Sequence, residues 1–218
     1  MSSETHTSAA ADHTDWADYV EGYLPDDEVL VAARGRSADF GCAPLSPAGG
    51  SALRFLAATL QARAVVEIGT GAGVSGLYLL RGMAEDGVLT TIDIEPEYHR
   101  AARRTFLDAG FPAGRMRLIM GRALDVLPRL TSGGYDLVFV DAARVEYPSY
   151  FAHGVHLLRP GGVIAFHNVL AGARLGDHTR RDPEALALRE LAREIREDER
   201  LVPALLPVGG GLLVATAC

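Results

Sequence analysis

A few short stretches of this 218-residue chain carry side chains whose types and spacing could do chemistry. Glu67, Gly69, Thr70, Gly71, Gly73 and Ser75 stand together in EIGTGAGVS, a run of small residues behind an acid. Such a bend lets a ligand lie against backbone, because glycine tolerates conformations other residues avoid. Asp93, followed by Ile94, ends the apolar run VLTTID, where a carboxylate could accept hydrogen bonds from ribose hydroxyls. Further on, Asp141 and Arg144 frame DAAR, and His167 precedes Asn168 in AFHN. An acid, a permanently charged guanidinium and an imidazole that titrates near neutrality are the materials of proton transfer and charge stabilisation.

The register of the glycines narrows the ligand. Gly71, Gly73 and Gly76 match a dinucleotide fingerprint by pattern, but in that fingerprint the first glycine ends the strand. Here the strand-ending glycine is Gly69, so the third position falls on Val74 and the match fails. A nicotinamide cofactor would also bring its pyrophosphate against Glu67. The spacing suits a nucleoside with cationic groups and no phosphate, as in S-adenosylmethionine. Glu67 would then add favourable charge from behind, and Ser75, at a helix start, could donate to the methionine carboxylate. Asp93 supports a nucleoside of either kind, and could instead cap the helix opening at Pro96.

The elements around these residues follow from the apolar pattern. AVVEI, VLTTID, MRLIM, YDLVFVD and GGVIAFH are short β-branched runs, each followed by a helical or loop segment. Continuous apolar strands separated by helices predict a parallel sheet covered on both faces. LVPALLP and LLVATAC, joined by a glycine-rich turn, predict a closing hairpin whose last strand runs antiparallel to its neighbour. The expected fold is α/β, Rossmann-like, with about seven mostly parallel strands, a C-terminal antiparallel hairpin and helices on both faces. Residues 1–15 read as a polar, mobile tail, and 16–218 as one domain with a helical segment over 16–62. His153 and His156 share a helix face, as a metal pair or as partly exposed residues. Tyr147 and Tyr150 could line an acceptor pocket or pack within a helix.

Composition excludes several functions. A net charge of −7 argues against nucleic-acid partners, and no apolar run is long enough to span a membrane. The polar start lacks the features of a secretory signal, and two cysteines make no disulfide framework, so a cytoplasmic protein is expected. All 21 basic residues are arginine. Without lysine there is no Walker-type phosphate site, no Schiff base and no Tyr-x-x-x-Lys dehydrogenase pair.

From about Ser46 onward the chain resembles bacterial O-methyltransferases related to catechol and caffeoyl-CoA O-methyltransferases. The carriers are VVEIGTGAGVSGLYLL, TIDIEPE, GRALDVLPRL, YDLVFVDAARVEY, LLRPGGVIAFHN and the closing hairpin. The resemblance implies a class I S-adenosylmethionine-dependent fold, a small phenolic or catechol-like acceptor, and Gly121, Arg122 and Ala123 near the adenine. It also implies a homodimer contacted through the N-terminal helices. Metal-dependent members hold a divalent cation on an Asp and an Asp-Asn pair. Asp141 and Asn168 match, but His167 stands where the family has Asp, so the metal has either changed or been lost. Mg²⁺ prefers oxygen, whereas one nitrogen with two oxygens suits Mn²⁺, Fe²⁺ or Zn²⁺. Arg144 replaces the lysine beside the acceptor hydroxyl and is a poor base. His167 is therefore expected as base or as ligand, but not both, or else as a plain hydrogen-bonded histidine at the end of a strand. Methyl transfer to nitrogen or carbon, and a cofactor-binding protein with a decayed centre, are the alternatives.

Overall fold

The computed structural model describes residues 9–173 and 175–218. Its sheet consists of β1 (Ala64–Ile68), β2 (Val88–Asp93), β3 (Met116–Met120), β4 (Tyr135–Val140), β5 (Leu158–His167), β6 (Leu201–Leu206) and β7 (Leu212–Ala217). The strand order is β3-β2-β1-β4-β5-β7-β6. The pairings from β3 through β5 are parallel, while β7 runs antiparallel to both β5 and β6. The predicted doubly covered sheet and terminal hairpin are both present.

Alternation along the strands sends side chains to two cores. Val65, Leu137, Phe139 and Ala165 pack on one face with Leu53, Leu77 and Phe106. Val66, Val138, Val140, Ile164 and Phe166 pack on the other with Tyr147, Leu188 and Leu191. Each large apolar side chain buried this way contributes roughly 1.5–3 kcal/mol. The helices on the first face are α2 (Glu28–Asp39), α3 (Pro47–Thr59), α4 (Val74–Gly82) and α5 (Pro96–Asp108). The second face carries α6 (Ala123–Val126), α7 (Tyr147–Leu157) and α8 (Pro183–Glu197). Caps fix where they start. Asp27, Ser46 and Asp182 accept backbone N–H bonds from Leu30, Gly49 and Ala185 at 3.0, 3.3 and 3.1 Å.

One further helix, α1 (Ala9–Gly22), begins inside the stretch expected as a polar tail. The rest of that expectation, residues 1–8, lies outside the described residues. Among the described residues no helix is long and apolar enough to cross a membrane.

The strand order reverses between β1 and β4, and a crevice opens outside their carboxyl ends. Gly69 closes its floor. Its N–H donates to the Ile92 carbonyl at 2.9 Å, and the Asp141 N–H donates to the Ile68 carbonyl at 2.9 Å. Gly69 has φ +95°, and a Cβ there would stand 2.0 Å from the Asp141 carbonyl oxygen. Only glycine lets the ends of β1 and β4 approach so closely.

Candidate active site

A cavity of about 730 Å³ lies at the carboxyl ends of β1, β2 and β4. Of the expected cofactor residues, Gly69, Thr70, Gly71, Ser75, Asp93, Ile94, Gly121, Arg122, Ala123 and Asp141 line it. Glu67, Gly73, Arg144, His167 and Asn168 are not among its wall residues. Four carboxylates (Asp93, Glu95, Asp141 and Glu146) face it against one guanidinium, Arg122.

Asp93 organises the glycine bend. Its Oδ2 accepts the Thr70 and Gly71 N–H groups at 2.8 and 3.3 Å, and its Oδ1 accepts the Glu95 N–H at 3.1 Å. A carboxylate fixed by backbone donors is pre-aimed without loss of side-chain freedom on binding. Gly121 N–H donates to the Asp93 carbonyl at 2.9 Å, which brings the Gly121–Ala123 turn beside the same wall.

Glu67 sits below the bend rather than facing the cavity. It is fully buried, with its carboxyl oxygens hydrogen-bonded to Ser75 Oγ and Thr91 Oγ1 at 2.6 Å each. Thr91 Oγ1 is in turn 2.7 Å from Thr70 Oγ1, so the network ties β1, β2, α4 and the bend together. Burial pushes the Glu67 carboxyl up to about 8, with Asp141 and Asp93 adding to the rise and the two hydroxyls opposing it. Two expectations are corrected. At neutral pH Glu67 is mostly protonated and supplies little negative charge from behind. The Ser75 hydroxyl is engaged with Glu67 instead of standing free to meet a cofactor carboxylate.

At the other end, the fold brings together residues 26 apart in sequence: His167 Nδ1 lies 3.0 Å from Asp141 Oδ2. His167 ends β5 and is 5% exposed, so an acceptor cannot reach it as a free base. Its Nε2 is 2.6 Å from the Gly209 carbonyl oxygen. A carbonyl only accepts, so Nε2 carries a proton, and in the neutral ring Nδ1 bears the lone pair. No hydrogen bond satisfies Nδ1, despite the nearby carboxylate. Tyr147, fully buried, donates its hydroxyl to the His167 carbonyl at 3.1 Å and packs in the core, while Tyr150 lines the cavity. Arg144 turns away from the cavity and donates from Nη1 to Glu184 of α8 at 3.1 Å.

Sequence reasoning missed part of the wall. The loop Cys42–Leu45, before α3, covers one side, with Tyr98 beside it. A hydrogen bond with Cys42 pushes the Tyr98 hydroxyl up to about 12. Glu146 accepts from Tyr150 Oη and, at 3.2 Å, from Arg122 Nη2. Loop residues without periodicity give no signal of such placement.

The cation position implied by the family resemblance carries a mixed set of side chains. Asp141 and His167 meet there at 3.0 Å, His167 Nδ1 makes no hydrogen bond, and Asn168 follows with φ +62°. That set fits a nitrogen-accepting ion better than Mg²⁺. Among the described residues no group of three or more His, Cys, Asp or Glu could hold a metal, and His153 and His156 form none.

A family model described as O-methyltransferase matches residues 34–217. A Mycolicibacterium vanbaalenii protein that carries a provisional O-methyltransferase name is 54% identical over 197 residues, spanning 90% of this chain and 87% of its own. The O-methyltransferase of Bacillus cereus, solved with S-adenosylhomocysteine, superposes with a TM-score of 0.84 at 28% identity, covering 94% of this chain and 97% of that one. TomG of Streptomyces achromogenes, an O-methyltransferase of tomaymycin synthesis solved with S-adenosylmethionine, gives 0.84 at 30% identity, with 93% and 96% covered.

Proposed function

Because the chain belongs to the O-methyltransferase family, we propose that it moves the methyl group of S-adenosylmethionine to a hydroxyl of a small phenolic, catechol-like acceptor. The observation that carries this is the cavity itself: a backbone bend clamped by Asp93, with four carboxylates and one arginine on the wall. Such a wall favours a sulfonium and an ammonium and opposes a pyrophosphate. S-adenosylmethionine supplies an electrophilic methyl carbon, and the remaining work is alignment and activation of the acceptor oxygen.

Each residue has a place in that work. Asp93 receives the ribose hydroxyls while holding the Thr70 and Gly71 amides in position. Gly121, Arg122 and Ala123 border the adenine. Asp141 is the one member of the acceptor cluster on the cavity wall, so it meets the acceptor hydroxyl, and His167 acts through it as a positioning residue. Arg144, held by Glu184, bounds the acceptor side. Asp141, His167 and Asn168 would hold a divalent cation, whose charge would favour the ionised form of a phenol. The exposed aromatics Trp16, Tyr19 and Phe55 on the N-terminal helices, with Tyr23 just after the first of them, support a homodimer through that segment.

Calorimetry with S-adenosylhomocysteine, followed by a methyl-transfer screen over catechols, flavonoids and amines, tests the reading. Micromolar binding and methylation of a catechol oxygen are expected. No binding would end the cofactor assignment, and transfer to amines alone would end the acceptor assignment.

A further inference from the structure

We propose that Arg36 and Thr105 form a positioning relay that makes helix α2 part of the cofactor site. Arg36 sets the Thr105 hydroxyl, and the hydroxyl holds the Ala72 carbonyl of the glycine bend. The inference rests on the proposed function for the identity of the ligand, but its support is the geometry of the bend and the two helices beside it.

The bend needs holding. Gly71 and Gly73 stand at φ +49° and +85°, and glycine-rich backbone has many alternatives of similar energy. Asp93 secures one part by accepting the Thr70 and Gly71 N–H groups. The next peptide, Ala72–Gly73, is secured at both poles. Its N–H, on Gly73, donates to the Thr70 carbonyl at 3.0 Å. Its carbonyl, on Ala72, accepts from Thr105 Oγ1 at 2.7 Å. Thr105 is fully buried on α5, a helix so near the bend that a Cβ on Gly73 would stand 2.9 Å from Ala102. Ala72 lines the cavity, so a displaced peptide changes the surface a cofactor meets.

A hydroxyl has one proton to give. Thr105 Oγ1 also lies 3.1 Å from the Ala101 carbonyl, the local partner a helical threonine ordinarily takes. Arg36 Nη2 donates to the same oxygen at 2.8 Å. A guanidinium only donates, so it occupies a lone pair and leaves the proton to the carbonyls, of which Ala72 is the nearer. A cationic donor also polarises the hydroxyl and strengthens the bond it gives. Arg36 stands in the last turn of α2, and this is the one hydrogen bond of its guanidinium among the described residues. Neither Arg36 nor Thr105 lines the cavity, so both act through the bend.

The same helix reaches the cavity by a second route. Ser37 lines it, the Cys42 N–H donates to the Ser37 carbonyl at 2.9 Å, and Arg34 Nη1 donates to the Leu45 carbonyl at 2.6 Å. One helix therefore sets the Cys42–Leu45 wall and, through Arg36, the bend.

S-adenosylhomocysteine binding to the full-length protein is measured by calorimetry for wild type, Thr105→Val, Thr105→Ser, Arg36→Ala and the double variant Arg36→Ala/Thr105→Val, with urea midpoints alongside. Valine keeps the shape of threonine and removes the hydroxyl. A bend that must be re-formed on binding costs affinity, so Thr105→Val should bind at least about tenfold more weakly. Thr105→Ser should stay within about twofold of wild type, and Arg36→Ala should lose about threefold to tenfold. The double variant should match Thr105→Val within about twofold, because a broken relay has nothing left for Arg36 to set. Wild-type affinity in Thr105→Val or in Arg36→Ala overturns the inference, even where the urea midpoint falls, since the contacts would then serve stability alone. So does Thr105→Ser binding as weakly as Thr105→Val, or two losses that multiply in the double variant. If Thr105→Val does not fold, Arg36→Ala, altered at a half-buried position, decides the matter by itself. Wild-type protein that fails to bind S-adenosylhomocysteine would instead strike at the proposed function, so the two failures are separable.

Discussion

At the β1–β2 end of the cleft, the Thr70 and Gly71 amides end on Asp93 and the Ser75 hydroxyl ends on Glu67. At the β4–β5 end, His167 keeps a buried nitrogen without a hydrogen bond, and Asn168 holds a left-handed backbone. At the first end these donors each have an acceptor, and the bend offers a rigid surface to a ligand that lies on top. The second is incomplete by the ordinary rule that buried polar atoms are paired. A pre-formed bend suits a cofactor common to many enzymes, whereas the second end is set by a strand end meeting the glycine turn before β7.

The two ends meet at Gly69, and breaking it should break both. Gly69→Ala places a methyl against the Asp141 carbonyl and strains a positive φ, so we expect a stability loss of at least ~3 kcal/mol in urea unfolding. A variant that unfolds at the wild-type midpoint would show that the strand ends can part freely. Asp93→Ala should act on one end alone. Leaving the Thr70, Gly71 and Glu95 amides without their acceptor and removing the ribose contact should weaken S-adenosylhomocysteine binding about 100-fold. Binding at the wild-type affinity would show that the bend holds its ligand without Asp93.

A third effect concerns Glu67 and depends on pH. Its folded value, about 8, lies above the ordinary 4.5. The folded state therefore holds the proton where the unfolded chain has released it, and stability from this group falls as pH rises from about 4.5 to about 8. Glu67→Gln mimics the protonated form, so its stability relative to wild type should increase across that window by up to a few kcal/mol. Unfolding midpoints at pH 5 and pH 8 measure it. Parallel pH profiles for the two proteins would mean that Glu67 is ionised in the fold.

Much of the first end is legible in the sequence. The strands are continuous apolar runs, the glycine register excludes a dinucleotide, and Asp93 ends a run at a fixed distance. What is not legible is direction: Ser75 and Glu67 are neighbours in the motif, but only the packed helix α4 turns the hydroxyl down to the carboxyl. The second end is legible as a departure, since His167 stands out beside Asn168, but not as geometry. Its tautomer is set by Gly209, 42 residues away, through a hairpin whose turn has no periodic signal. The Cys42–Leu45 wall escapes notice for the same reason.

The three glycines at 209–211 join two strands, and such a tip is where a protein engineer would ordinarily open a chain to insert a tag. Here a side chain at 209 would come within 3.0 Å of Gly49, one at 210 within 2.7 Å of Asn168, and one at 211 within 2.5 Å of Leu170. The tip is wedged between the start of α3 and the segment after β5, with the Val169 and Leu170 N–H groups donating to its carbonyls at 3.2 and 2.9 Å. Its length and composition are thus dictated by the neighbours it supports, and grafting there should be tolerated less well than in any exposed loop.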